Sequence, residues 1–395
     1  MRIGIIGCGI AGQAAATGLA RCGQDVTVVE RFATARPIGA GLLLQPSGLA
    51  ALECLGVRAD AERWGAVIQA LDGRTVRGRR VLKLDYGKDH GLGIHRAALF
   101  NLLHAAMQAS GAKLRFDFEV TAIDDFEHPS LVARSGQRAG PFDLVLDCAG
   151  AHDTVRNALG GGVRAPVYPW GALWTALPDR AGTWKRSLRQ TYDGAALMMG
   201  VLPIGRAPLA EFDGPHVAFF WSLPLSEFER QKSNGLAALK SRMLSAWPEL
   251  QMLATEITSF DQFALATYRD VVLRPWHKGK VLVLGDAAHG TSPQLGQGAN
   301  LALIDALTIV RCVERTNDVA DAIARYGRMR RAHTAYYQLA SRALTPAFQS
   351  NSRVMAFLRD TLLVAARYVP FGGYVTRTTL AGVRKLPWGV WKMPK

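Results

Sequence analysis

The residues best equipped for chemistry sit near the two ends of the chain, in two glycine-rich stretches. The first is Gly7-Cys8-Gly9-Ile10-Ala11-Gly12, directly after the apolar run Ile3-Gly4-Ile5-Ile6 and before a run of small residues. Gly7 suits a tight turn, Gly9 a close backbone approach to a pyrophosphate, and Gly12 close packing of helix on strand. Glu30 ends the apolar segment Asp25–Val29, about 20 residues past the loop, where a carboxylate accepts hydrogen bonds from a ribose diol. The second stretch is Gly285-Asp286-Ala287-Ala288-His289, after Val281–Leu284, running through Pro293, Gly296, Gln297 and Gly298. Asp286 is placed to bond a polyol such as ribityl. A helix starting near Gly298, Ala299 and Asn300 turns its positive end toward an electron-rich ring. Each stretch reads as strand, tight loop and helix N-terminus, with free N–H groups for an anion. Together they fit the two ends of a flavin dinucleotide.

With those residues in view, the segment Gly285 to Ala306, GDAAHGTSPQLGQGANLALIDA, resembles the ribityl-binding signature of class A flavoprotein monooxygenases, the para-hydroxybenzoate hydroxylase fold. Three further segments agree: Gly39 to Gly56 with Gly41, Gln45, Pro46 and Gly48; His95-Arg96 with Leu99; and Phe348 to Asp360 with Arg359. The resemblance implies an α/β fold, a Rossmann-like FAD-binding domain with an inserted antiparallel β-sheet substrate domain and a helical C-terminal region. It implies FAD contacts from Gly7, Gly9, Ala11, Gly12, Glu30, Arg31, Arg96, Val120, Asp286, Pro293, Gly296, Gly298, Ala299 and Asn300. Arg96 is expected to reach the flavin's phosphate or ribityl region. His289, inside the ribityl motif, is expected to be structural rather than a base.

One segment departs from the family. Where GADGxxSxxR is usual, this chain has Asp147-Cys148-Ala149-Gly150-Ala151-His152-Asp153-Thr154-Val155-Arg156. Gly150 and Arg156 are kept, but Ala149 replaces an aspartate that in the family organises flavin and nicotinamide contacts. Two readings stay open. Asp153 substitutes for that carboxylate, or NAD(P)H gives way to an external reductase as electron source, with a flavin reductase as partner.

The activity implied is oxygen activation by reduced FAD through a flavin C4a-hydroperoxide, hydroxylating or epoxidising a small molecule. The protein then supplies orientation, water exclusion and electrostatics. Short apolar runs over 186–192, 195–202 and 216–223, with turns at Asp193-Gly194 and Asp213-Gly214-Pro215, predict an antiparallel sheet over the flavin, and a helix is expected over 236–247. Tyr192, Met199, Phe219, Trp221 and Pro293 are the expected substrate-pocket residues, with Trp170 and Trp174 nearby; such a lining suits an aromatic or polyketide-like molecule. No catalytic base is legible. Two alternatives are a flavin-dependent reductase or dehydrogenase of an unsaturated lipid-like substrate and a halogenase-like enzyme. Against the second, Trp170-Gly171-Ala172-Leu173-Trp174 has the wrong tryptophan spacing.

The elements that must position these residues follow. The 395-residue chain is long enough for two domains or a little more. The motifs predict an FAD-binding domain from 1–70, 92–158 and 276–335, a substrate domain from 71–91 and 159–275, and a C-terminal helical region over 336–395. Five cysteines without CxxC spacing exclude a zinc site or disulfide framework and agree with a cytoplasmic setting. Met1-Arg2-Ile3 reads as the first strand, and no apolar run reaches the roughly 18 residues of a membrane span. A net charge of +15 without a recognition motif does not point to nucleic acid. Part of that charge gathers after Pro346, where Arg353, Arg359, Arg384 and Lys392 interleave with Phe357, Leu362, Phe371, Trp388 and Trp391. Such a tail packs back on the body or lies peripherally on the inner face of a membrane.

Overall fold

The computed structural model describes residues 1–34, 40–153, 155–160, 162–208, 210–365, 371–386 and 389–392; Gly39, Thr154 and Trp388 lie outside them. In chain order, the strands that matter here are β1 (Arg2–Ile6), β2 (Asp25–Val29), β3 (Gly41–Leu44), β4 (Ala70–Thr75), β5 (Arg80–Asp85), β6 (Gly91–His95), β7 (Lys113–Arg115), β8 (Leu144–Asp147), β9 (Val167–Pro178), β10 (Ser187–Asp193), β11 (Leu197–Gly205), β12 (His216–Pro224), β13 (Ala264–Arg269) and β14 (Val281–Val283). The helices are α1 (Ile10–Arg21), α2 (Pro46–Cys54), α3 (Arg96–Ala109), α4 (Gly235–Ala246), α5 (Gly298–Glu314), α6 (Val319–Phe348), α7 (Arg353–Ala365) and α8 (Gly372–Leu380).

Two sheets carry the molecule. In the first, β14, β8, β1, β2 and β7 run parallel in that order, with the short strand His277–Lys278 antiparallel on the β14 edge. Parallel strands with helices on both faces read as continuous apolar runs, and Ile3, Ile5, Leu144, Leu146 and Leu282 are buried. The loops after β1 and β14 leave the same carboxyl edge, separated only by β8. That is where ligands bind in open α/β sheets.

The second sheet has the order β13-β9-β12-β11-β10-β4-β5. Its pairs are antiparallel except β10 with β4, which is parallel. Both faces are covered. Leu173, Met199, Val201, Phe219 and Trp221 point outward into a core closed by Trp184 and by Leu239 and Met243 of α4. Side chains of opposite parity, Leu202, Ile204 and Ala218, pack instead with Leu43, Ile68 and Tyr86 on the side of the first sheet. Gly93 of β6 makes that approach possible: a Cβ there would lie 1.9 Å from the Pro203 carbonyl oxygen.

Candidate active site

The nucleotide loop follows from close packing. Gly7 sits at a φ of +94°, and a Cβ on it would meet the Cys148 carbonyl oxygen at 2.8 Å. A Cβ on Gly12 would come within 2.0 Å of the Gly7 carbonyl oxygen, so only glycine lets α1 start this close to the turn. Gly9, at the N-cap of α1, has open space where a Cβ would point, and no side chain caps the helix. The first N–H groups of α1 thus face an open cradle. The Glu30 carboxylate borders the loop and accepts from Cys8 N–H at 2.9 Å, while Arg31 stacks on Phe32 at the exposed rim. Val120 opens the next strand and is buried.

The ribityl loop meets this one directly. A Cβ on Gly285, whose φ is +59°, would stand 3.5 Å from Ala11 Cβ of α1 and 3.7 Å from Ala302 Cβ of α5. Asp286 is exposed although Gly285 and Ala287–His289 around it are buried, so its carboxylate is free for a ligand. Gly296 adopts the left-handed conformation and Gly298 opens α5, again without a side-chain cap. Pro293 begins the intervening 3-10 turn, and Ser292 before it bonds Ser341 and Thr345 of α6, each at 2.7 Å. Asn300 is buried and acts as a pin: its Oδ1 accepts from Gln45 N–H at 2.8 Å and its Nδ2 donates to the Gly296 carbonyl at 3.0 Å. Gly48 admits this amide, since a Cβ there would fall 2.1 Å from Asn300 Oδ1. Arg156 ties the departing segment to the same loop by donating to the carbonyls of Ala287 at 3.1 Å and Ala151 at 2.9 Å. Two open helix N-termini, an exposed carboxylate on one loop and a carboxylate edging the other make a donor and acceptor set that fits FAD.

Beneath the ribityl loop lies a buried charge network that the sequence did not announce. Asp305 of α5 accepts from Gly285 N–H at 3.0 Å, from His289 Nε2 at 2.5 Å and from Arg330 Nε at 2.6 Å. Burial alone would raise the Asp305 carboxyl, but the Arg330 charge and His289 overcome it and hold it well below the carboxylate range. Arg330 also meets His333, whose Nε2 pairs with the Gly382 carbonyl at 2.9 Å and whose ring stacks on Trp391 at 5.1 Å. Burial and the Arg330 charge push the His333 imidazole down to about 2. His289 therefore orients the loop through Asp305, and much of the C-terminal tail is packed on α6.

The segment with Ala149 has a specific arrangement. Asp153 accepts from Val155 N–H at 2.8 Å and Arg156 N–H at 2.9 Å, capping the short helix Val155–Leu159. Both its oxygens are engaged there. Asp147, at the end of β8, is buried; its Oδ1 accepts from Ala149 N–H and its Oδ2 has no hydrogen-bond partner among the described residues. Burial, and then the neighbouring Asp153, push the Asp147 carboxyl well above its usual range.

Where the second sheet turns toward the first, the substrate-lining expectation needs correction. Met199, Phe219 and Trp221 face the α4 layer, because their parity along β11 and β12 points outward. Tyr192 has the inward parity, but its ring is buried against Phe348 and under Arg359. The inward neighbours are Met198, Phe220 and Trp174, the last two with rings 4.8 Å apart. Gly200 makes room for the Phe220 ring, which a Cβ would meet at 2.2 Å. Trp174 Nε1 donates to the hydroxyl of half-buried Tyr268 at 3.1 Å. Burial pushes that phenol up to about 12, with the Arg96 charge in opposition. Arg96 itself opens α3 and is exposed, its N–H donating to the Ala40 carbonyl at 3.0 Å. Phe220 was not singled out in the sequence because both faces of β12 are apolar and alternation alone does not say which face is inward, and Tyr268 lies on the edge strand β13, which was not assigned from the sequence. Among the described residues no cluster of histidine, cysteine or carboxylate groups could hold a metal ion.

Comparison with known proteins agrees with this geometry. The family model described as FAD binding domain matches residues 1–336. The chain is 30% identical over 360 residues to 3-amino-4-hydroxybenzoate 2-monooxygenase of Streptomyces cremeus, covering 88% of each. It is 28% identical to a kynurenine 3-monooxygenase of Salinispora arenicola, over 84% of this chain and 77% of that one. Two solved structures share the fold: 2-methyl-3-hydroxypyridine-5-carboxylic acid oxygenase, with a TM-score of 0.79, 21% identity and 96% of each chain covered, and HpxO of Klebsiella pneumoniae complexed with FAD and uric acid, with a TM-score of 0.80, 20% identity and 97% of each covered.

Proposed function

The chain belongs to the FAD-binding-domain family of class A flavoprotein monooxygenases, and we propose that it hydroxylates a hydroxyl- or amino-bearing aromatic molecule held against Trp174, Phe220 and Tyr268. Family membership carries the cofactor, FAD, and the reaction class. When bound and reduced by two electrons, FAD would supply the activation of O₂ and delivery of one oxygen atom to the ring, the other oxygen leaving as water. The chain's residues do the rest. Gly9 and the free N–H groups of α1 receive the pyrophosphate, Glu30 the ribose diol, Asp286 the ribityl hydroxyls, and Arg96 the phosphate or ribityl region. The N-terminus of α5, at Gly298, Ala299 and Asn300, stabilises negative charge on the reduced ring.

The observation that carries the substrate reading is the pair Trp174–Tyr268. Trp174 donates to the Tyr268 oxygen, and burial keeps the phenol protonated, so its own O–H remains available to donate. A substrate phenol or phenolate oxygen is the acceptor that matches, with Trp174 and Phe220 as aromatic walls. Aromatic rings bearing hydroxyl and amino groups are activated toward an electrophilic oxygen, and one relative is named for such a substrate, 3-amino-4-hydroxybenzoate. The electron source we read from Ala149: since Asp153 is committed to capping, no carboxylate stands at the family's aspartate position. The reading is then of slow direct use of NAD(P)H and faster turnover when reduced flavin comes from a separate reductase.

Oxygen uptake by the FAD-loaded protein, with reduced flavin supplied by NADH and a separate flavin reductase, over a panel of aminophenols and hydroxybenzoates tests this function. Substrate-dependent uptake with a hydroxylated product supports it. Tyr268→Phe should raise KM for a phenolic substrate about tenfold, one charge-assisted hydrogen bond, and leave FAD content unchanged. An unchanged KM would remove Tyr268 from the substrate site.

A further inference from the structure

Helix α7 is built inside out. Its charged residue Arg359 is buried, donating to the carbonyls of Gly194 at 2.9 Å and Ala347 at 3.1 Å, pairing with Asp360 and lying over the rings of Tyr192 and Phe348. Four of its large apolar residues face water: Val354 is 62% exposed, Phe357 66% and Leu362 60%, with Leu358 beside them. Spaced at i, i+3, i+4 and i+8, these four fall on one face of the helix. The polar contacts of Arg359 fix the rotation of α7, so this face cannot turn inward. Across β5, against which both α7 and α8 pack, Phe371 and Tyr374 add exposed rings, 83% and 49% accessible. The β4–β5 hairpin beside them carries exposed Arg77 and Arg79, with exposed Arg74 and Arg80 sharing the Asp72 carboxylate, and Arg79 donates to the Asp360 carbonyl of α7 at 3.2 Å. Arg353 and Arg377 are exposed on the two helices themselves.

We propose that this face seats the enzyme on an anionic lipid surface, with Val354, Phe357, Leu358, Leu362 and Phe371 in the acyl boundary and the hairpin arginines on the headgroups. The juxtaposition is what such a surface recognises: an apolar stripe that no part of the described chain covers, rimmed by cations. The net charge of +15 favours the same partner. No helix among the described residues is long and apolar enough to cross a membrane. At 13 residues α7 lies in the interface.

Sedimentation of the FAD-loaded protein with phosphatidylcholine vesicles, with and without about one third phosphatidylglycerol, tests the proposal. The protein should sediment with the anionic vesicles at low salt and be released as salt rises. Phe357→Glu with Leu362→Glu should partition at least about tenfold more weakly, with FAD content and melting temperature unchanged. Arg77→Glu with Arg79→Glu should abolish the preference for anionic vesicles. Failure of the unmodified protein to sediment at low salt would overturn the proposal, as would retention of binding by both double variants. A dimer in sedimentation equilibrium that Phe357→Glu with Leu362→Glu dissociates would also overturn it, assigning the face to a second copy of the chain.

Discussion

Single residues decide whether the cofactor cradle exists. Gly12→Ala would put a methyl 2.0 Å from the Gly7 carbonyl oxygen, so the turn must open, and the purified variant should lose its yellow colour even if it folds. Glu30→Ala and Asp286→Ala should each weaken FAD binding by about 1.5–3 kcal/mol, read by fluorescence quenching on titration, since each removes a charge-assisted bond. These positions were legible because glycine spacing and a terminal carboxylate state a backbone requirement directly. Asp147 was not, for its character comes from burial and from Asp153. A carboxyl raised in the fold binds its proton more tightly folded than unfolded, so it lowers stability as pH rises from the unfolded value toward the folded one. Asp147→Asn should therefore raise the melting temperature at pH 8 more than at pH 5; an equal effect at both would deny the shift.

At the scale of elements, the order of strands and helices was readable and the facing of the second sheet was not. Strands predicted over 186–192, 195–202 and 216–223 fall within a residue or two, or a few at one end, of β10, β11 and β12, because short apolar runs between glycine turns leave little choice. Which side of β11 and β12 meets the flavin depends on what covers each face, and helix α4 takes the face bearing Met199, Phe219 and Trp221. The consequence is a paired prediction. Met199→Ala should lower stability by about 2–5 kcal/mol with KM unchanged, whereas Phe220→Ala should raise KM for the aromatic substrate. The reverse pattern in thermal melts and kinetics would restore the outward face to the site. The loop Gly285–His289 likewise depends on an element remote in sequence, the 30-residue helix α6 that brings Arg330 to Asp305. Asp305→Asn leaves Arg330 buried without its counter-charge and should cost about 3–5 kcal/mol.

For the whole molecule, the same network predicts how the fold responds to acid. Asp305 is held below its ordinary value and His333 is pushed down to about 2, so both resist protonation in the fold. The stability they contribute is present above their unfolded values and is lost as pH falls, first below about 6.5 for the histidine and then below about 4 for the carboxylate. Loss of bound FAD should follow that melting curve, since Asp305 holds the Gly285 turn. The electron source is a property of the assembled enzyme: Ala149→Asp should speed NAD(P)H oxidation in the presence of substrate, and no change would place the electron entry elsewhere. The central claim is that an FAD-loaded chain puts one atom of O₂ into an aromatic ring. Turnover under ¹⁸O₂ with chemically reduced FAD, followed by mass spectrometry of the product, tests it most directly. The account predicts one labelled oxygen per product molecule, formed only with FAD bound. Hydrogen peroxide without an oxygenated product across the aromatic panel, or product oxygen drawn from water, would contradict it.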